Sequence, residues 1–365
     1  MKLELDAIVI EEACRESALA RRILARADGI PIDYVADTRA SIVADRSARD
    51  AFAAAKRRMI VTSKRGGFVI ACPAASSKFA CCGYLVMNLA SNCPMDCSYC
   101  FLQEYLADNP GFRIYANYAD AFDELERLSR TAGGRSLRIG TGELTDSLAF
   151  DRLTSVSVDL VEFFARQSSL VLELKTKTDE IENLMRVDPR GQTLVSWTLS
   201  PDAVFRSSER GTASPALRIA AARRVLDAGY RVAFHLDPII AYPGAQTDYT
   251  ALLEALFDTI APERISFMSL GGLRMTPALR RIVRSRFPND PMMVGEDVLS
   301  PDGRFRAFAP LRVGLYRALH DRIRRAGVVS PLYLCMEPPS VHERVFGTRP
   351  ASPGALGECL VQERG

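Results

Sequence analysis

From Tyr84 onward the chain alternates short β-rich runs with longer helical patterns, and this alternation limits the fold more than any other feature. YLVMNLA (84–90), SLRIGT (136–141), LVLELKT (170–176), TLVSWTLS (193–200), RVAFHLDPII (231–240) and RISFMSLG (264–271) read as strands. DAFDELERLSR (120–130), FDRLTSVSVDLVEFFARQ (150–167), SPALRIAAARRVLDAGY (214–230), DYTALLEALFDTI (248–260) and TPALRRIVRSRF (276–287) read as helices between them. Short strands alternating with such helices form βα units and pack as a parallel sheet. Six clear strands, with a weaker seventh in PLYLCM (331–336), fall short of the eight of a closed barrel. An open, partial (β/α)6 barrel with N- and C-terminal extensions is the expected fold. Working residues of such sheets lie at the C-terminal ends of the strands. Residues 1–80 read as an N-terminal extension of helical Ala/Arg-rich segments, 81–340 as the barrel and 341–365 as a C-terminal tail.

The first strand runs into SNCPMDCSYCFLQEYL (91–106), with Cys93, Cys97 and Cys100 at the spacing C-x3-C-x2-C. Structural zinc and self-contained iron–sulfur sites normally take four protein ligands. Three thiolates on one loop can instead hold three irons of a [4Fe–4S] cluster and leave the fourth open to a small molecule. A zinc ion would need another donor, and the nearest histidine in the sequence is His235. RIGTGELTDS (138–147) ends the second strand. Its glycines allow close backbone approach to a ligand, and Glu143 adds a carboxylate. A turn with a helix N-cap at Thr145 or Asp146 accounts for the aspartate but not for Gly142-Glu143. Nine cysteines, several clustered, fit a reducing compartment better than a disulfide framework. The N-terminal stretch carries Asp and Glu throughout, and no apolar run approaches the roughly 20 residues of a membrane span. A cytoplasmic protein with no membrane contact is expected.

The spacing C-x3-C-x2-C after the first strand of a βα barrel resembles the radical SAM superfamily. NCPMDCSYCFLQEYL preceded by CCGY (81–84), with GTGELTDS (140–147), ELKTK (173–177), SWTLSP (196–201), ERGTASPALRIAAARRVLDAGYRV (209–232) and HLDPII (235–240), resembles the spore photoproduct lyase family over roughly residues 60–345. The resemblance implies a [4Fe–4S] cluster on Cys93, Cys97 and Cys100, with S-adenosylmethionine as the missing ligand. An electron from the cluster cleaves that cofactor to methionine and a 5′-deoxyadenosyl radical, which abstracts hydrogen from a thymine lesion in UV-damaged DNA. It further implies Tyr99 near the cofactor and Gly142 and Glu143 at its amino group. Thr145 and Thr198 would supply hydroxyls, Lys177 a cation for its carboxylate, and Asp237 a backbone contact to the adenosyl group. A flavodoxin or ferredoxin as electron donor, and a monomer, are expected with it.

Two departures stand out. The family has a hydrogen-donating cysteine where Glu143 or a neighbour falls, and no cysteine lies between residues 101 and 334. The family also has a tyrosine where this chain has Phe101. Cys335 is the leading spare thiol, with a buried core cysteine as its plainer reading. Cys81 and Cys82 read as structural, Cys14 and Cys359 as incidental, and Trp197 as core. His235 fits either a satisfied core position or proton transfer. Between residues 270 and 330 stand twelve Arg against five acids, although the whole chain is only +3. That stretch fits a polyanionic substrate or solvated helix faces, with Arg274 as the best phosphate contact. Two other readings stay open: a radical enzyme acting on RNA or a peptide, and a metal-binding nucleic-acid module without catalysis.

Overall fold

The computed structural model describes residues 4–38, 50–72, 79 and 82–350. Cys81, Cys359 and the tail from residue 351 lie outside the described residues. Seven parallel strands form the barrel, in the order of the chain: Leu85–Met87, Leu137–Gly140, Leu170–Thr176, Thr193–Thr198, Arg231–Ile239, Ile265–Gly272 and Leu332–Leu334. Val69–Ala71 pairs antiparallel along the free side of the first of them. All six clear strands are present, and the weak seventh joins the same sheet.

The strands alternate, apart from irregularities in the fifth between Val232 and Phe234 and between Leu236 and Ile239. Leu172 and Leu174, Val195 and Trp197, Phe234 and Leu236, and Met268 and Leu270 join one large core beneath the helices. The other parity faces the barrel interior and is largely polar: Arg138, Glu173, Ser196, His235 and Ser269 bond to one another there. Helix Pro215–Asp227 starts on Ser214, whose Oγ accepts from the Leu217 N–H at 3.3 Å, and stops before Gly229 at a positive φ of 92°. Both signals are ordinary helix punctuation.

The N-terminal region differs from its helical expectation. Ala7–Glu11, Ile32–Val35, Arg58–Thr62 and Phe112–Tyr115 form a parallel sheet that Ala90–Ser91 joins antiparallel. AIVIE and RMIVT are buried apolar runs of only five residues, too short to separate by periodicity from the Ala-rich helices beside them. The two sheets interleave across residue 80. Val69–Ala71 belongs to the barrel, whereas Ala90–Ser91 and Phe112–Tyr115 return to the N-terminal sheet. The cysteine loop therefore hangs between the two sheets.

Candidate active site

The cysteine loop is held from several sides. Asn92, at a positive φ of 69°, turns the chain, and its Oδ1 accepts from the Cys93 N–H at 2.8 Å. Asp96–Cys97 pairs antiparallel with Glu209–Arg210, a segment more than a hundred residues later. The buried Gln103 donates through Nε2 to the carbonyls of Ser98 at 2.8 Å and Cys100 at 3.1 Å. Cys93, Cys97 and Cys100 pack in one cluster with Met95 and Tyr99. Burial, then Asp146, pushes the Cys93 thiol up to about 12 against the pull of Lys56. Burial raises Cys97 likewise, against Lys177. Cys100 raises both Cys93 and Cys97, and Cys93 raises Cys97, so the three share one electrostatic site. Thiols held this far up ionise when a metal displaces the proton.

Among the described residues no three His, Cys, Asp or Glu side chains converge closely enough for a single metal ion. Three neighbouring thiols on one loop suit a multi-iron cluster, where each thiolate meets a different iron.

Around the loop, the strand ends present the other predicted residues. Gly142 lies against the third strand: a Cβ there would stand 2.6 Å from Lys175 Cβ and 2.8 Å from its carbonyl oxygen, so only glycine fits. Asp146 ties the loop to that strand by accepting from the Thr176 hydroxyl at 2.8 Å and the Lys177 N–H at 2.8 Å. It also accepts from the Leu148 N–H at 3.0 Å, but the helix that follows, Asp151–Thr154, starts on Phe150 without a side-chain cap, so neither Thr145 nor Asp146 is its N-cap. Burial pushes the Glu143 carboxyl up, Lys175 pulls it back, and Asp237 and Arg274 act after them. Lys177 Nζ stands 3.9 Å from Glu209 Oε1 and 5.6 Å above the Tyr99 ring.

Glu209 is the hub that sequence reading missed. Its carboxylate accepts from Tyr99 Oη, from Ser200 Oγ at 2.8 Å and from Arg218. Burial alone would raise its pKa, but Arg218 and then Lys177 outweigh that and hold it down at about 2. Arg218, itself fully buried, also donates to the Thr198 carbonyl at 2.9 Å and the Ala213 carbonyl at 2.8 Å. Tyr99, Lys177 and Thr198 are thus fixed by one buried network. Its sole sequence signal was an acidic residue opening ERGTASP.

Arg274 departs from its expected role. Its guanidinium donates to Asp237 at 3.1 and 3.3 Å, to the Gly272 carbonyl at 3.0 Å and to Met336 Sδ at 3.0 Å. Asp237 holds it because the fifth and sixth strands run side by side there, with Gly271 leaving room for the carboxylate. The guanidinium is committed inside the barrel and not offered to a phosphate. Much of the Arg-rich stretch is engaged in the same way: Arg286 with Asp50 and Asp96, Arg304 and Arg306 with Asp302, and Arg312 with Glu337. Arg281 and Arg284 stay exposed on helix Pro277–Arg286. A neighbouring hairpin, Asp297–Leu299 with Phe305–Ala307, exposes Val298 and Leu299.

Cys335 follows the last strand and packs with Cys82 against Phe267 and Tyr333 inside the barrel, 4.0 Å from Arg274 Nη2. His235 is a satisfied interior residue: its Nδ1 meets Ser269 Oγ at 2.6 Å and its Nε2 meets Glu173 Oε1 at 2.9 Å. Burial, then Lys175, lowers its pKa and keeps it neutral. Trp197 is core, with Nε1 donating to the Thr178 carbonyl at 3.0 Å. Among the described residues no helix is long and apolar enough to cross a membrane.

A sequence model of the family described as spore photoproduct lyase matches residues 4–303. The spore photoproduct lyase of Geobacillus sp. (strain Y412MC61) is 26% identical over 210 residues, 57% of this chain and 62% of that protein. That of Bacillus subtilis (strain 168) is 26% identical over 211 residues, 57% of this chain and 61% of that protein. The chain thus aligns with about three fifths of the length of these two curated relatives. A solved spore photoproduct lyase with two substitutions, AdoMet and dinucleoside spore photoproduct superposes with a TM-score of 0.77 at 21% identity, covering 91% of this chain and 99% of that one. The likeness shows a shared fold.

Proposed function

The chain belongs to the spore photoproduct lyase family, and we propose that it is a radical SAM enzyme that acts on a thymine lesion in UV-damaged DNA. The observation that carries this reading is the trio of clustered thiols after the first barrel strand, Cys97 buried and Cys93 and Cys100 half-buried, with Asp146 of the loop after the second strand acting on Cys93. Cys93, Cys97 and Cys100 would hold a [4Fe–4S] cluster. Gly142, Glu143, Thr145, Lys177, Thr198 and Asp237 would hold S-adenosylmethionine, with Tyr99 beside it. Together the two groups supply a 5′-deoxyadenosyl radical when bound.

The chain's own residues do the positioning. Glu143 offers a carboxylate to an ammonium, and Lys177 a charge-assisted contact to a carboxylate. Glu209 and Arg218 keep Lys177, Tyr99 and the strand end at Thr198 in place before any ligand arrives. Glu143 serves binding and not hydrogen donation, because a carboxyl O–H bond is strong and the group normally ionises near neutral pH. Phe101 has no O–H to contribute. Cys335 is the thiol we assign to quenching a product radical, since it lies on the inner face at the mouth. Contact with DNA falls to exposed Arg281 and Arg284 and to the apolar hairpin at Val298 and Leu299, in place of Arg274. A small electron-transfer protein such as a flavodoxin or ferredoxin would deliver the electron to a monomer in the cytoplasm.

Anaerobic reconstitution with iron and sulfide, followed by detection of 5′-deoxyadenosine and thymine products with and without dinucleoside spore photoproduct, tests the proposal. The expected result is 5′-deoxyadenosine formation and conversion of the lesion. Cofactor cleavage with the lesion returned unchanged would move the substrate elsewhere, with damaged RNA or a peptide as the next to assay. No iron uptake would overturn the radical reading altogether.

A further inference from the structure

We propose that Lys56 raises the reduction potential of the cluster that Cys93, Cys97 and Cys100 would hold, by bringing a buried positive charge to the cysteine loop from the N-terminal sheet region. The inference rests on the cluster assignment made above. Lys56 closes helix Ala51–Lys56, and its side chain is 1% exposed. Its Nζ donates to the Met95 carbonyl at 2.6 Å and reaches Asp96 Oδ1 at 3.4 Å. Both residues lie between Cys93 and Cys97. Phe52 covers the ammonium at 5.0 Å from its ring centre.

Burying an ammonium is expensive unless something compensates it. Its shortest contact here is a neutral carbonyl, a task that any neutral donor could perform. The carboxylate it touches is already claimed: Arg286 meets Asp96 at 3.0 Å and Asp50 at 2.8 Å. Lys56 and Arg286 together balance Asp50 and Asp96, and of the two cations Lys56 is the one that bonds the loop backbone between Cys93 and Cys97, so its field falls on the loop. A positive charge held against the loop between Cys93 and Cys97 favours an added electron on a cluster at that place. Cluster potentials follow local charge, hydrogen bonding and burial, and a charge acts more strongly where water is excluded. Lys56 touches neither substrate nor cofactor. It tunes the site through the loop.

The test is an EPR-monitored redox titration of the reconstituted holoprotein, with iron content measured in parallel. Lys56→Gln retains an N–H donor for the Met95 carbonyl and removes the charge. At the wild-type midpoint its ratio of reduced to oxidised cluster should fall about tenfold, the change expected for a shift of one decade in a one-electron couple. Lys56→Arg, which keeps the charge, should titrate with the wild type. Asp96→Asn, which removes a negative charge from the same group, should shift the ratio the other way. Lys56→Gln with full iron content and an unchanged midpoint would overturn the inference while leaving the cluster assignment intact. If Lys56→Gln fails to take up iron, Asp96→Asn decides: an unchanged or lowered midpoint overturns the inference. Wild-type protein that takes up no iron would overturn the cluster assignment first, and this inference with it.

Discussion

Replacing Glu173 by Gln asks whether charge holds the barrel interior together. Glu173 is 1% exposed and Arg138 is 4% exposed. Arg138 Nη1 donates to Glu173 Oε2 at 3.0 Å, while Ser196 Oγ at 2.7 Å and His235 Nε2 at 2.9 Å share Oε1. Burial by itself would raise the carboxyl pKa, but Arg138, then His235 and Ser196, outweigh it and hold the group well below the usual carboxylate range. Gln keeps the shape and one acceptor, yet it leaves Arg138 buried without a counter-charge. Breaking a buried ion pair from one side costs about 3–5 kcal/mol. The chain's one tryptophan, Trp197, sits on the adjoining strand, so its fluorescence during urea unfolding reports on this sheet. Glu173→Gln should lose about 3–5 kcal/mol near neutral pH. Adding Arg138→Met should restore much of the loss, since the stranded charge goes with it. The sign with pH follows from a depressed folded-state pKa. The contribution is complete above the unfolded glutamate value of about 4.3 and fades as pH falls from there through the folded value. The gap between wild type and Glu173→Gln should therefore narrow below about pH 4. A loss under about 1 kcal/mol, within the range of an ordinary substitution, or a gap that does not change with acidification, would refute the charge-based account.

Cys93→Ala, Cys97→Ala and Cys100→Ala should each abolish reductive cleavage of S-adenosylmethionine, read as 5′-deoxyadenosine, and retained cleavage in any one sinks the three-thiolate assignment. Lys177→Ala should weaken binding of the cofactor about 10- to 100-fold, the loss of one charge-assisted hydrogen bond, and unchanged affinity in equilibrium binding removes that role. Gly142→Ala should cost about 1–3 kcal/mol in denaturant unfolding, because its Cβ would press on the Lys175 backbone. Cys335→Ala should leave cofactor cleavage intact and increase side products from an unquenched thymine radical, and fast, clean repair in the variant would contradict its donor role.

The barrel was legible because its signal is long and repeated. Seven strands, their helices and the Ser214–Gly229 punctuation each agree with the same fold, and local consistency of that kind is what makes a pattern readable. The N-terminal sheet was not, since five-residue runs such as AIVIE and RMIVT carry no period that separates strand from helix. The cysteines and Gly142-Glu143 were readable because ligand chemistry demands particular residue types close together in sequence. Glu209, Arg218 and Lys56 were not, although all three shape the site. They act between segments apart in the chain, by satisfying carbonyls and opposing charges that exist only once the sheets have met. Arg274 misled for the same reason. Its place after the sixth strand suggested an open mouth, while the register of the fifth strand set Asp237 beside it.

Burial bears on the missing hydrogen donor in a way that the sequence could not express. A nucleophilic cysteine needs a depressed pKa, because the thiolate is the reactive form. A hydrogen-atom donor needs the opposite, an intact S–H bond at working pH. Burial, reinforced by Asp237, lifts the Cys335 thiol well above its ordinary value, against the pull of Arg274. That shift argues against Cys335 as a nucleophile and is what a hydrogen donor requires. Cys82 packs against the same Phe267 and Tyr333. Tyr84, two residues on, turns a buried hydroxyl without a hydrogen-bond partner toward Gly140, where any Cβ would collide with it. The barrel interior thus holds thiols and phenols from segments beside the first and last strands, Cys82, Tyr84, Tyr333 and Cys335. Under the donor role proposed for Cys335, a carboxylate at Glu143 is compatible with radical chemistry, because donation does not have to come from that loop.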